Sequence, residues 1–135
     1  MALFIDTGIF VAAVNIADKN CERAKELLEK VLEGEFGAVY TSDYVIDETI
    51  TATLARTKKL ELAIGVGEYV LGTPRIRKLR VSEDVFDSAW GKFKSLGGRP
   101  MSFTDCTSLA LMEKSGVRNI ASFDSGFDGL VERIG

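Results

Sequence analysis

Four acidic residues, Asp6, Glu48, Asp105 and Asp124, stand where a folded chain of this kind can gather carboxylates. Asp6 follows the short apolar run Ala2 to Ile5, and Asp124 follows the run Asn119 to Phe123, so each closes what reads as a buried strand. Asp105 lies in the first turn of one expected helix, and Glu48 about two turns into another. In open α/β sheets, sites form beyond the carboxyl ends of the strands. Two like charges ~4 Å apart repel by roughly 4 kcal/mol at an effective dielectric near 20, so four gathered carboxylates are costly without neutralisation, and a cation is the simplest remedy.

The rest of the chemistry is narrowed by what the chain lacks. Histidine is absent, and Cys21 and Cys106 belong to no CxxC pair. That excludes the usual zinc and thiol-imidazole sites and every His-dependent nucleophile. All-oxygen ligation favours Mg²⁺ or Mn²⁺, and such an ion can activate water and stabilise the charge of an in-line phosphoryl displacement. A phosphodiesterase or a phosphatase fits. Each acid also has a structural reading, because Asp in a first helical turn stabilises the dipole and Asp at a strand end starts a turn. Asp6 has the fewest such duties.

The elements that must position these acids are legible in outline. Ala2 to Ile5 is a short central strand, followed by a short apolar helical segment. Asn20 to Glu33 carries Ala24, Leu27, Leu28, Val31 and Leu32 at helical spacing, with Gly34 as a stop. Ala38 to Tyr40 reads as a second strand, and Thr41-Ser42-Asp43 caps a long helix reaching about Lys59. A helix over Leu60 to Leu71 is broken by Gly72-Thr73-Pro74, after which Ile76, Leu79 and Val81 suggest an edge strand. Ser82 caps the next helix, with Val85, Phe86, Ala89, Trp90 and Phe93 expected to face inward. Gly97-Gly98-Arg99-Pro100 is a loop, Thr104 the expected cap of a helix to about Lys114, and Val131 to Ile134 the last strand. Strands alternating with helices imply an α/β, three-layer α/β/α sandwich around a mainly parallel sheet with right-handed crossovers.

A chain of 135 residues, 46% hydrophobic and 27% charged with two prolines, fits a single domain over 1–135 with one core. Its longest apolar stretches, such as Ile9 to Val14 and Ser108 to Met112, fall far short of the ~20 residues that cross a bilayer. No basic leader precedes the first strand, and the expectation is a cytoplasmic protein. The net charge of −3 gives no overall basic field for nucleic acid, so any such binding rests on local patches.

Four segments together carry a family resemblance: Phe4-Ile5-Asp6-Thr7, Ser42-Asp43-Tyr44-Val45-Ile46-Asp47-Glu48, Ser102-Phe103-Thr104-Asp105-Cys106 and Ser122-Phe123-Asp124-Ser125-Gly126-Phe127-Asp128. In order and spacing they resemble the PIN-domain ribonucleases, especially the VapC-like toxins of toxin-antitoxin pairs, over almost the whole chain. The resemblance implies an endoribonuclease in which Asp6, Glu48, Asp105 and Asp124 hold Mg²⁺ or Mn²⁺ and RNA is cut by a metal-activated water. It also implies that Thr104 orients Asp6 through its hydroxyl, with Thr7 acting likewise. Asp47 and Glu48 point about 100° apart on a helix, and the family pattern selects Glu48. Asp128 is either an extra ligand through water or a solvated residue.

The resemblance further implies a homodimer and an inhibitory antitoxin protein. Tyr44, Val45, Leu62, Ile64, Val66 and Tyr69 offer a dimer surface or a groove for an antitoxin helix, or else they belong to the core. Two basic clusters, Arg56 with Lys58 and Lys59, then Arg75, Arg77, Lys78 and Arg80, could carry RNA phosphates or simply form a solvated helix end and a protected edge strand. The nearest rival enzymes, a haloacid-dehalogenase-like phosphatase and a receiver domain, fit less well. The first wants an Asp two residues after Asp6, where Gly8 stands, and the second wants paired early acids. A noncatalytic binding module on the same fold is the alternative of another class.

Overall fold

The computed structural model describes residues 1–96 and 98–135. In chain order the elements are β1 (Ala2–Ile5), α1 (Thr7–Val14), α2 (Cys21–Leu32), β2 (Ala38–Ser42), α3 (Asp43–Thr57), α4 (Leu60–Gly72), β3 (Ile76–Leu79), α5 (Glu83–Ser95), α6 (Phe103–Ser115), β4 (Asn119–Ala121), a single 3-10 turn (Ser125–Phe127) and β5 (Glu132–Ile134). The five strands form one sheet in the order β3-β2-β1-β4-β5, and every pairing is parallel. The chain steps from β1 to β2 to β3 in one direction, then returns across the sheet to β4. Right-handed crossovers therefore put α1–α4 on one face and α5–α6 on the other. The three-layer α/β/α sandwich expected from the alternating pattern is the observed architecture.

The apolar runs become central strands because both of their faces are covered: Leu3, Phe4 and Ile5 are fully buried, as is Ile120 in β4. Helices follow their local signals. Ser42 accepts a hydrogen bond from the Val45 amide at the start of α3, and Ser82 does the same for Val85 at α5. Past the end of α2, Gly34 takes a φ of +83°, which suits the glycine expected to stop that helix.

Three local expectations are corrected. The cap of α6 is Ser102 rather than Thr104; the Ser102 hydroxyl accepts from Asp105 N (3.0 Å) and the Asp105 carboxylate accepts from Ser102 N (3.0 Å). Ser-x-x-Asp closes this capping box on both sides, which Thr104 cannot do because only Ser102 has an acid three residues on. β4 ends at Ala121, short of the apolar run, because Ser122 turns away to meet other partners. Finally, Phe86, Trp90 and Phe93 do not face the core: they are 44%, 50% and 42% exposed, while Val85 and Ala89 are buried. The helix carries two adjacent apolar stripes, and only one can point inward. Gly97, in the expected 97–100 loop, lies outside the described residues; Gly98 there has a φ of +94°.

Candidate active site

The order β3-β2-β1-β4-β5 reverses direction between β1 and β4, which opens a crevice at the carboxyl ends of those two strands. Register places Ile5 beside Ala121, so Asp6 and Ser122 leave the sheet side by side. The Asp6 amide donates to the Ala121 carbonyl (3.0 Å), extending the ladder one step beyond the strand. Asp6 then occupies the cap position of α1, but its side chain makes no capping bond and stays free for the crevice.

Ser122, fully buried, is the residue that organises this corner. Its hydroxyl donates to Asp6 Oδ2 (2.7 Å) and accepts from the Asp124 amide (3.0 Å). The backbone of one acid is thus linked to the carboxylate of another through a single hydroxyl. The opposite oxygen, Asp6 Oδ1, is buried without a hydrogen-bond partner, as is the Thr7 hydroxyl beside it. Asp6 is 5% exposed, and burial pushes its carboxyl up from 3.8 to about 7. The Ser122 bond and the Thr7 amide oppose that rise, while the charges of Asp105 and Glu48 add to it.

Asp105 enters from the other layer, in the first turn of α6. It is 7% exposed, and burial raises its carboxyl to about 6, with the Asp124 and Glu48 charges contributing and the Ser102 bonds opposing. Glu48 is half-buried on α3 and acts on both aspartates, whereas Asp47 is exposed on the neighbouring face. Asp124 precedes the 3-10 turn, and its Oδ1 accepts from the Gly126 amide (2.8 Å). Glycine fits that turn without disturbing it, since a Cβ at 126 would sit 3.0 Å from the same oxygen and push it aside. Arg99 pins the loop by donating to the carbonyls of Gly126 (3.1 Å) and Asp128 (3.3 Å).

All four expected acids therefore share one end of the sheet and one electrostatic field. They do not form a ready-made cage: among the described residues, no group of three or more acidic, cysteine or histidine side chains is placed to hold an ion. Asp6, Asp105 and Asp124 each give one oxygen to a serine or a nearby amide, which fixes the carboxylate and leaves the other oxygen uncommitted. Asp128 is exposed and paired with Arg133 (2.7 Å) instead of turning into the site. Thr104 sits at the second helical position, and the hydroxyl that meets Asp6 belongs to Ser122. Neither Ser122, which falls within a family segment, nor Arg99 was given a role from the sequence; the available signal for Ser122 was a hydroxyl two residues before Asp124.

With the geometry in place, comparison with known proteins is direct. The profile described as PIN domain matches residues 3–132. The chain belongs to the PIN-domain family. The 23S rRNA-specific endonuclease VapC20 of Mycobacterium tuberculosis is 33% identical to it over 132 residues, 96% of each chain. A VapC ribonuclease of Archaeoglobus fulgidus is 28% identical over 128 residues, covering 94% of this chain and 80% of its own length. The crystal structure of VapC20, described as a sarcin-ricin loop cleaving toxin, matches with a TM-score of 0.83 at 30% identity over 95% of this chain and 94% of that one. VapBC2 from Rickettsia felis, solved with a promoter DNA fragment, shares the fold with a TM-score of 0.69 at 16% identity, covering 99% of this chain and 98% of that one.

Proposed function

We propose that this protein is a divalent-metal-dependent endoribonuclease, acting as a single cytoplasmic domain and as the toxin of a toxin-antitoxin pair. The observation that carries the reading is Asp6 Oδ1, a carboxylate oxygen buried without a partner in the field of further acids. Such an atom is stable only beside a proton or a cation. The surrounding donors are all oxygens, which fits Mg²⁺ or Mn²⁺. Asp6 Oδ1, the oxygens of Asp105 and Asp124 not held by local amides, and the Glu48 carboxylate would hold it.

When bound, the ion supplies a water of lowered pKa and neutralises charge at the scissile phosphate. The chain's own residues do the rest. Ser122 fixes the Asp6 carboxylate and favours its ionised form. Burial of Asp6 and Asp105 in the crevice strengthens every charge interaction there. The capping box holds Asp105 at the helix start so that one oxygen stays available.

RNA is the proposed substrate class because VapC20, similar over nearly the whole chain, is named for 23S rRNA. The likeness to VapBC2 supports an antitoxin partner, and a homodimer is proposed on the sequence resemblance alone. Of the apolar residues first considered for such surfaces, Val45 and Val66 are buried in the core. The outward stripe of α5 is the better dimer face: Phe86, Trp90 and Phe93 surround Phe103, with ring centroids 5.0, 6.5 and 6.2 Å from it. That helix begins with Glu83 and Asp84 and carries Lys94 near its end, so an antiparallel copy sets opposite charges against each other.

The test is cleavage of single-stranded, hairpin and transfer RNAs with Mg²⁺ or Mn²⁺, comparing wild type with Asp6→Asn and with EDTA. Metal-dependent cutting abolished by the substitution supports the nuclease and its acids. Equal cutting by both proteins indicates a contaminant, and RNA binding without cutting favours the noncatalytic module.

A further inference from the structure

Resting on the ribonuclease reading, we infer that the exposed edge of β3 is a track for the RNA sugar-phosphate backbone, with Arg75, Arg77 and Arg80 as its phosphate contacts. β3 is an edge strand; Arg77 lies on it, Arg75 immediately precedes it and Arg80 immediately follows it, and all three are exposed. Among the described residues none of them forms an ion pair, although Arg23, Lys25, Lys30, Lys92 and Arg133 all do. The one acid tied to this segment is already occupied: Asp43 Oδ1 accepts from the amides of Tyr44 and Val81 (3.0 Å each). Unpaired guanidinium groups in a chain of net charge −3 form a local field that the whole molecule lacks.

Register fixes where the track leads. Phe4 is paired with Tyr40 and Tyr40 with Arg77, while Ser42 pairs with Leu79. Leu79 is therefore level with Asp6, two strands and about 10 Å away, and Arg80 lies at the site's own end of the sheet. From Arg80 down to Arg75 the edge extends about 17 Å, long enough for several successive phosphates. Two of the arginines are partly preorganised: Arg77 lies over the Tyr40 ring (5.8 Å), and the Arg75 guanidinium lies against Gly34, 3.3 Å from where a Cβ there would stand. Plain edge protection needs less, because a four-residue edge strand is already short. The other basic cluster, Arg56 with Lys58 and Lys59, lies at the far end of α3, about 15 Å along its axis from Glu48.

The experiment compares wild type, an Arg75→Gln/Arg77→Gln/Arg80→Gln variant, the matching triple Lys variant, and an Arg56→Gln/Lys58→Gln/Lys59→Gln control. Binding of a fluorescein-labelled RNA hairpin is followed by anisotropy in EDTA over a salt series, and cleavage of the same hairpin is followed in Mg²⁺. The triple Gln variant is expected to lose about two to three units of log-log salt slope and to raise KM with little change in kcat, with the Lys variant keeping the slope and the control unchanged. An unchanged slope and KM in a folded triple Gln variant overturns the track while leaving the nuclease intact. So does an equal loss in the control, or a loss of binding to a purified antitoxin with RNA binding unaffected. A wild type that neither binds nor cuts RNA overturns the ribonuclease reading itself.

Discussion

Replacing Asp6 by Asn should stabilise the metal-free protein at mildly alkaline pH while abolishing its activity. The folded Asp6 carboxyl lies at about 7 against an ordinary 3.8, because burial disfavours its charge. With 1.36 kcal/mol per tenfold, keeping it ionised in the fold at about pH 8 costs on the order of 4 kcal/mol. At about pH 5 the folded side chain is protonated and the remaining cost is roughly 1.6 kcal/mol. Stability contributed by the protonated form is thus complete below 3.8 and is lost as pH rises through about 7. Wild type should lose roughly 2 to 3 kcal/mol between about pH 5 and 8 from Asp6, with a smaller part from Asp105 in the same direction. The chain has no histidine, so few other side chains titrate in that window. Asn removes the charge but leaves an amide in place of the unpartnered oxygen, at about 1 to 3 kcal/mol, for a net gain of roughly 1 to 3 kcal/mol near pH 8. Urea unfolding in EDTA at the two pH values measures both quantities. Saturating Mg²⁺ should close the gap, since a ligand at a hundred times its Kd adds about 2.7 kcal/mol to wild type alone. A variant less stable than wild type in EDTA at alkaline pH, or a wild type whose stability ignores pH, would refute the reasoning.

Other outcomes follow from the same geometry. Ser122→Ala removes the bond that holds the Asp6 carboxyl down, so the acidic limb of the pH–rate profile should move to higher pH, and Ser122→Thr should return it. Glu48→Gln should lower kcat by about a hundredfold or more, the scale of losing one preorganised charge, while Asp47→Asn leaves the rate within threefold or so. Trp90→Glu with Phe93→Glu should convert a dimer to a monomer in sedimentation velocity without unfolding it, because both side chains are about half exposed.

Most of the fold was legible because its signals are local. Apolar runs of three to five residues ending in polar ones became parallel strands, and serine caps opened α3 and α5 as expected. The failures came where two local solutions competed. Ser102 and Thr104 both suit a cap, and only the acid at 105 decides between them. On α5 two apolar stripes adjoin, and no pattern within the helix says that Val85 and Ala89 take the core. The four acids expected near one end of the sheet do lie there, but which of their oxygens stay open was not readable. That depends on which oxygen each carboxylate gives to a neighbouring hydroxyl or amide, and sequence spacing does not encode that choice.

That choice changes how the structural and functional readings of an acid relate. From sequence they looked like rivals: Asp105 either caps a helix or serves a site. In the fold its Oδ2 accepts from Ser102 N, and Oδ1 is left uncommitted, so the two readings are compatible. Asp124 divides its oxygens the same way around Gly126 N, and Asp6 around the Ser122 hydroxyl. The local bonds hold each carboxylate in place before any ligand arrives, lowering the conformational entropy lost on binding. A ligand drawing Asp105 Oδ2 away would break the Ser102 N–H half of the capping box while the Ser102 hydroxyl still caps α6, so engaging both Asp105 oxygens costs one helix-start hydrogen bond.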